Sequence, residues 1–151
     1  MISVREIRLD DGPALLDLGR AMHAESPNYR DFELDETKVE HWVKVCSTEA
    51  MFNGFVTHEG ENMIGFIAGG VLPLPLTTGQ YFEDIGFYVR PGRRGTIAAI
   101  MLLQSIIPWA KVMGANGMRM GITTGTNVPQ AQSFLEKMGF ENIGPIMLMR
   151  F

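Results

Sequence analysis

Apolar and polar positions alternate in two rhythms along this chain, and the switches between them mark its elements. Residues 2–9 alternate with a period of two, which predicts a short strand. Asp10-Asp11-Gly12-Pro13 then gives acids and a proline where a helix begins, and Ala14, Leu15, Leu18 and Met22 mark one helical face ending near His23. Residues 25–29 read as a loop. A second helix opens at Asp35 or Glu36 and carries Val39, Trp42, Val43 and Cys46 inward. Residues 51–57 and 63–72 read as two strands joined by a polar hairpin turn, His58-Glu59-Gly60-Glu61-Asn62. A proline-rich apolar loop, residues 72–79, leads to a fourth strand over residues 81–89. A third helix covers about residues 96–114 and contains Pro108, which removes one internal hydrogen bond and predicts a kink. Residues 117–123 form a fifth strand and residues 129–138 a fourth helix stopped by Gly139. Residues 140–142 and 144–151 supply the last strand or strands. The order β-α-α-β-β-β-α-β-α-β predicts an α/β (α+β) fold, one mixed sheet with helices on its faces.

Composition narrows the class. The chain has 151 residues, 46% hydrophobic and 20% charged, as expected of one globular domain spanning residues 1–151. Its net charge of −4 argues against a nucleic-acid partner, which needs a basic face, and against an anionic membrane surface. The lone cysteine, Cys46, rules out an intrachain disulfide and a cysteine-based metal cage, and it reads as a small buried hydrophobe. His23, His41 and His58 lack metal-ligand spacing, so no metal site is expected. The first residues, Met1-Ile2-Ser3-Val4-Arg5-Glu6, lack a signal-like pattern, and the longest apolar run, residues 97–113, is interrupted by Gln104, Ser105, Pro108 and Lys111. A cytoplasmic location is the default expectation.

One stretch carries chemistry more clearly than any other. Val89-Arg90-Pro91-Gly92-Arg93-Arg94-Gly95-Thr96-Ile97-Ala98-Ala99 turns a strand into a helix N-terminus. The first turn of a helix leaves backbone N–H groups without partners, and the helix dipole adds positive potential there. Arg93 and Arg94 add two full charges, so the turn is a candidate pyrophosphate site. No Gly-x-x-x-x-Gly-Lys-Ser/Thr loop is present, and no Gly-x-Gly-x-x-Gly follows a strand.

Val89-x-Pro91-x-x-Arg94-Gly95 resembles the acyl-CoA-binding loop of the GNAT (Gcn5-related) N-acetyltransferases. In the frame Arg/Gln-x-x-Gly-x-Gly/Ala, Arg94 and Ala99 match, while Ile97 stands in the place of the central glycine. One β-α unit later, Asn127, Ala131, Phe134, Gly139 and Phe140 resemble the family's C-terminal motif. Many members place a tyrosine after the position of Phe134, where it protonates the leaving thiolate; this chain has Leu135. The resemblance covers nearly the whole chain. It implies a mostly antiparallel central sheet with splayed fourth and fifth strands, flanked by about four helices. It further implies acetyl-CoA as co-substrate and a small-molecule or peptide amine as acceptor. The family often forms homodimers.

The resemblance also distributes roles. Phe87, Tyr88 and Val89 would pair by backbone with the pantetheine arm. Arg93, Arg94, Gly95, Thr96, Ile97, Ala98 and Ala99 would hold the pyrophosphate, and Asn127 and Phe134 would line the cofactor cleft. Asn127 also reads as a helix cap. Strict alternation puts Glu83, Ile85, Phe87 and Val89 on one face of the fourth strand, and Asp84, Gly86 and Tyr88 on the other. Some family members carry a catalytic glutamate four residues ahead of the pairing segment, and Glu83 stands at that offset, as a general base or as a solvated strand-entry acid. Loops near Glu25 to Tyr29 and Pro73 to Thr78 would shape the acceptor site. Two functions stay open: acetyl transfer to a primary amine by direct attack, and a non-catalytic module that binds CoA or a partner. The departures at Ile97 and Leu135 motivate the second.

Overall fold

The computed structural model describes residues 1–151. Five strands form one sheet in the order β1 (Ile2–Glu6), β2 (Phe52–Glu59), β3 (Asn62–Pro73), β4 (Gln80–Val89) and β5 (Gly117–Arg119). The first four pair antiparallel, and β5 pairs parallel to β4. Four helices cover the sheet: α1 (Gly12–Glu25), α2 (Glu36–Thr48), α3 (Ala98–Val112) and α4 (Val128–Lys137). This is the mixed architecture expected, and none of its helices is long and apolar enough to cross a membrane.

Local chemistry explains the boundaries. Pro13 sits in the first turn of α1, where its missing N–H costs nothing. Asp35 caps α2, its Oδ1 accepting the Thr37 N–H at 3.1 Å. The β2–β3 hairpin turns at Gly60, whose φ of +62° favours glycine. Helix α3 runs through Pro108 as one continuous element.

Each face of the sheet buries its own core. Leu15 and Leu18 of α1 and Val43 and Cys46 of α2 meet Val56, Phe66, Ala68 and Tyr88 on one face. Leu102, Leu103 and Ile106 of α3 meet Ile67, Val71, Phe82 and Val89 on the other, joined by Leu135 of α4. Each fully buried aliphatic or aromatic side chain contributes roughly 1.5–3 kcal/mol, so the α3 face anchors β4 firmly.

Strand β4 departs from simple alternation. Across the ladder Ala68 faces Gly86 while Gly69 faces Asp84, so Ile85 is an extra residue on β4. Such a bulge shifts every later side chain to the opposite face. Phe82 and Val89 both lie in the α3 core, although they are an odd number of residues apart. Glu83 is therefore on the α1–α2 face with Gly86 and Tyr88, and Asp84 shares the α3 face with Phe87 and Val89. This corrects the alternation expected for residues 83–89. Gly69 permits the distortion, because a Cβ there would lie 2.3 Å from the Glu83 carbonyl oxygen.

Two further expectations are corrected. Strand β5 ends at Arg119 instead of residue 123, and residues 139–151 form no strand. In the tail, Asn142 Oδ1 accepts the Gly144 N–H at 3.0 Å, closing a local turn, and Pro145 offers no N–H to a ladder. Ile146, Met147, Leu148 and Met149 are consequently exposed.

Candidate active site

The short β5 creates a fork. Tyr81, Phe82 and Glu83 pair with Gly117, Met118 and Arg119, and no strand accompanies β4 from Asp84 to Val89 on that side. Two adjacent acids pin the branch point. Glu83 holds Arg119 bidentately, with Oε1 and Oε2 accepting from Nη2 at 2.5 Å and from Nε at 3.1 Å. Burial pushes the Asp84 carboxyl up to about 6, against the opposing pull of the Gly121 backbone N–H. The family offset pointed to Glu83; the more enclosed acid is its neighbour, set on the α3 face with Phe87 and Val89 by the bulge. The adjacent acids Glu83 and Asp84, two residues ahead of Gly86, were the visible signal.

Beyond the fork, β4 runs into the arginine turn. A short 3-10 turn, Pro91–Arg93, precedes Gly95, whose φ is +80°. Thr96 Oγ1 donates to the Arg93 carbonyl at 2.7 Å and accepts the Ala98 N–H at 3.4 Å, which starts α3. The N–H groups of Gly95, Ile97, Ala99 and Ile100 have no protein partner. Ile97 presents its side chain to solvent, 55% exposed, so it does not fill the turn from within.

The arginines are not free charges. Arg90 pairs with Asp17, Arg93 with Glu59 at 2.5 Å, and Arg94 with Glu25 at 2.8 Å. The three pairs differ in kind. Those of Arg90 and Arg93 are surface pairs, worth about 0–1 kcal/mol and open to exchange with another anion. Arg94 is built in. Its Nε donates to the Val89 carbonyl at 2.9 Å, and its guanidinium lies 5.3 Å from the Tyr88 ring centre. Tyr88 in turn donates to Glu25 Oε1 at 2.5 Å. Burial, then the Glu25 contact, raises the Tyr88 phenol above its usual range, so its proton stays on the Glu25 bond.

The far wall of the fork comes from residues 120–134. Ser26 Oγ donates to the Thr124 carbonyl at 2.6 Å and Asn28 Nδ2 to the Thr123 carbonyl at 2.8 Å, tying this segment to the end of α1. Asn127 opens α4 in the left-handed region, φ +47°, and makes no side-chain cap. Its carbonyl accepts the Ala131 N–H instead, at 2.9 Å, so the expected side-chain cap is corrected. Phe134 stacks on Phe87, ring centres 6.2 Å apart, which joins α4 to β4. Leu135 is buried in the α3 core and offers no proton.

A mixed sheet that forks half-way along β4, with unpaired N–H groups at the adjoining helix start, defines an acetyltransferase fold. Solved structures of that fold superpose on the chain from end to end. A ribosomal-protein-alanine N-acetyltransferase from Brucella melitensis biovar Abortus 2308 matches with a TM-score of 0.71 at 16% identity, covering 100% of each chain. The aminoglycoside N-acetyltransferase AAC(6')-Iy, in complex with a bisubstrate analogue of CoA, matches at 0.77 and 14% identity, over 100% of this chain and 98% of that one. A predicted acetyltransferase with acetyl-CoA from Clostridium acetobutylicum matches at 0.77 and 16%, over 99% and 96%. No curated protein matches the chain in sequence. Residues 15–140 match the family model described as Acetyltransferase (GNAT) family, and the chain belongs to that family. The family resemblance read from the arginine turn and the Asn127–Phe140 motif is thus correct.

Proposed function

We propose that this chain is an N-acetyltransferase that moves the acetyl group of acetyl-CoA to a primary amine by direct attack. The observation that carries the reading is the unpaired edge of β4 leading into four unpartnered N–H groups at the start of α3. The backbone of Phe87, Tyr88 and Val89 would receive the pantetheine arm as an added strand. The N–H groups at Gly95, Ile97, Ala99 and Ile100 would face the pyrophosphate, with Thr96 and Ala98 holding the turn. Arg93 would add its charge by exchanging Glu59 for phosphate. Arg94, locked to Glu25, Val89 and Tyr88, would brace the turn as a positioning residue. Asn127 and Phe134 would line the opposite wall.

The chemistry asks little of any one side chain. A backbone N–H of β4 would polarise the thioester carbonyl. The amine nitrogen forms a bond to the carbonyl carbon, the carbon–sulfur bond breaks, and the electron pair leaves on sulfur. Glu83, on the α1–α2 face, would take the ammonium proton directly or through water once its bond to Arg119 loosens. Water would protonate the thiolate, since Leu135 is buried and the Tyr88 proton is committed to Glu25.

Isothermal titration with acetyl-CoA, coupled to thiol release on a panel of amines, tests the reading. Binding and thiol release are expected. Binding without release would favour a non-catalytic CoA-binding module, and no binding at sub-millimolar concentration would remove the CoA reading. Glu83→Gln should lower turnover by about 10²-fold or more with acetyl-CoA affinity retained; an unchanged rate across pH removes Glu83 from the proton path.

A further inference from the structure

An apolar pocket lies on the other side of β4 from α3. It occupies about 190 Å³ between α1, α2 and the sheet, and reaches β4 at Ile85 and Gly86, the bulge itself. Leu15 and Met22 of α1, Trp42 and Val43 of α2, and Phe66 of β3 form its walls. Two of the polar residues around it are engaged elsewhere. Ser26 Oγ donates to the Thr124 carbonyl and accepts the Tyr29 N–H at 3.2 Å. His23 Nε2 donates to the Phe32 carbonyl at 2.6 Å. No carboxylate lines the pocket, and Glu25, on the last turn of α1, is already bound by Arg94 and Tyr88.

We propose that this pocket holds the hydrophobic part of the acceptor, and that the acceptor is a primary amine bearing one aryl or branched-alkyl group. The assignment rests on the acetyl-transfer reading above and names its substrate class. Size supports it, because an apolar cavity of ~150 Å³ takes up a benzene ring. Charge supports it too. A polyamine or aminoglycoside would bring several ammonium groups to walls with no carboxylate, and an unpaired buried charge is expelled. An amine with one ammonium group can leave that group at the β4 mouth while its ring or branched chain fills the pocket.

The test is thiol release from acetyl-CoA by the full chain, with phenethylamine and isoamylamine compared with ethylamine, spermidine and kanamycin. One methylene in a hydrophobic pocket changes kcat/KM by about 10–200-fold. Phenethylamine and isoamylamine should therefore exceed ethylamine by at least ~10-fold, and should exceed spermidine and kanamycin as well. Gly19→Leu extends a side chain from α1 towards Val39 and into the pocket, and should collapse the ratio of phenethylamine to ethylamine towards one. Val39→Phe, a half-buried change on the facing wall, does the same if the first variant fails to fold. Trp42, in the wall, gives a readout independent of turnover, since phenethylamine should change its fluorescence and Gly19→Leu should abolish that change. Equal or better use of spermidine or kanamycin overturns the assignment while acetyl transfer stands. Thiol release from none of the amines, with acetyl-CoA bound, overturns acetyl transfer and this assignment with it.

Discussion

Replacing Asp84 with asparagine should make the fold more stable above pH 6 and change it little at pH 4. Burial pushes the Asp84 carboxyl from an ordinary value of 3.8 up to about 6, the Gly121 N–H opposing and the neighbouring Glu83 charge adding to the rise. The folded value is the higher one, so Asp84 favours the folded state below pH 4, and that contribution fades as pH rises from about 4 through 6. The folded and unfolded values lie about two pH units apart, and at about 1.36 kcal/mol for each the penalty at pH 8 is about 3 kcal/mol. Asparagine keeps an oxygen for the Gly121 N–H and never ionises. The stability difference between variant and parent should thus grow by about 2.5 kcal/mol between pH 4 and pH 8, because the unfolded carboxyl is already about half ionised at pH 4. For a chain of this length that corresponds to roughly 5–10 °C in Tm. Urea unfolding at pH 4, 5, 6, 7 and 8 measures it, and taking the difference cancels every group common to both proteins. A difference that stays constant over that range would refute the reasoning, because it would mean that Asp84 titrates alike in folded and unfolded chains.

Two further predictions test the two cores. Thr57 Oγ1 is fully buried without a hydrogen-bond partner, so Thr57→Val, which keeps its shape, should stabilise the protein by about 1–2 kcal/mol in urea unfolding; a loss of stability would reveal a partner for the hydroxyl. Burial pushes the Cys46 thiol up to about 11, and the thiolate is the reactive form. Iodoacetamide at pH 8 should therefore label the folded protein at least ~100-fold more slowly than the urea-unfolded chain, as followed by mass spectrometry, and equal rates would place Cys46 outside the α1–α2 core.

Much of the fold was legible because its signals are local. Period-two and period-3.6 patterns located β1 to β4 and all four helices, and Asp35, Pro13 and Gly60 marked boundaries through their own backbone preferences. The arginine turn was legible for the same reason, since a strand, a proline, glycines and a helix start follow one another in sequence. The tail misled because alternation records the faces of a strand and carries no information about whether a neighbouring edge exists. With β5 only three residues long and Pro145 interrupting, residues 144–151 have no ladder to join.

The corrections around the candidate site have a different origin: each depends on one residue of register or on partners distant in sequence. Ile85 is a single extra residue, and it moves Asp84 to the α3 face and Glu83 to the α1–α2 face. The same inserted residue brings β4 to the mouth of the apolar pocket at Ile85 and Gly86, so one irregularity positions both the acid pair and the pocket side of the fork. Partner identity likewise separates arginines that the sequence treats alike. Arg93 and Arg94 are adjacent, yet one meets Glu59 in solvent and the other meets Glu25 beneath Tyr88. An anion binding at the turn can displace Glu59 at a cost of about 0–1 kcal/mol. Displacing Glu25 would also strip Tyr88 of its acceptor and loosen the end of α1, where Ser26 ties the far wall of the fork. In the proposed reading Arg93 would therefore be the charge that follows a ligand, and Arg94 the one that keeps the fork in shape with or without it.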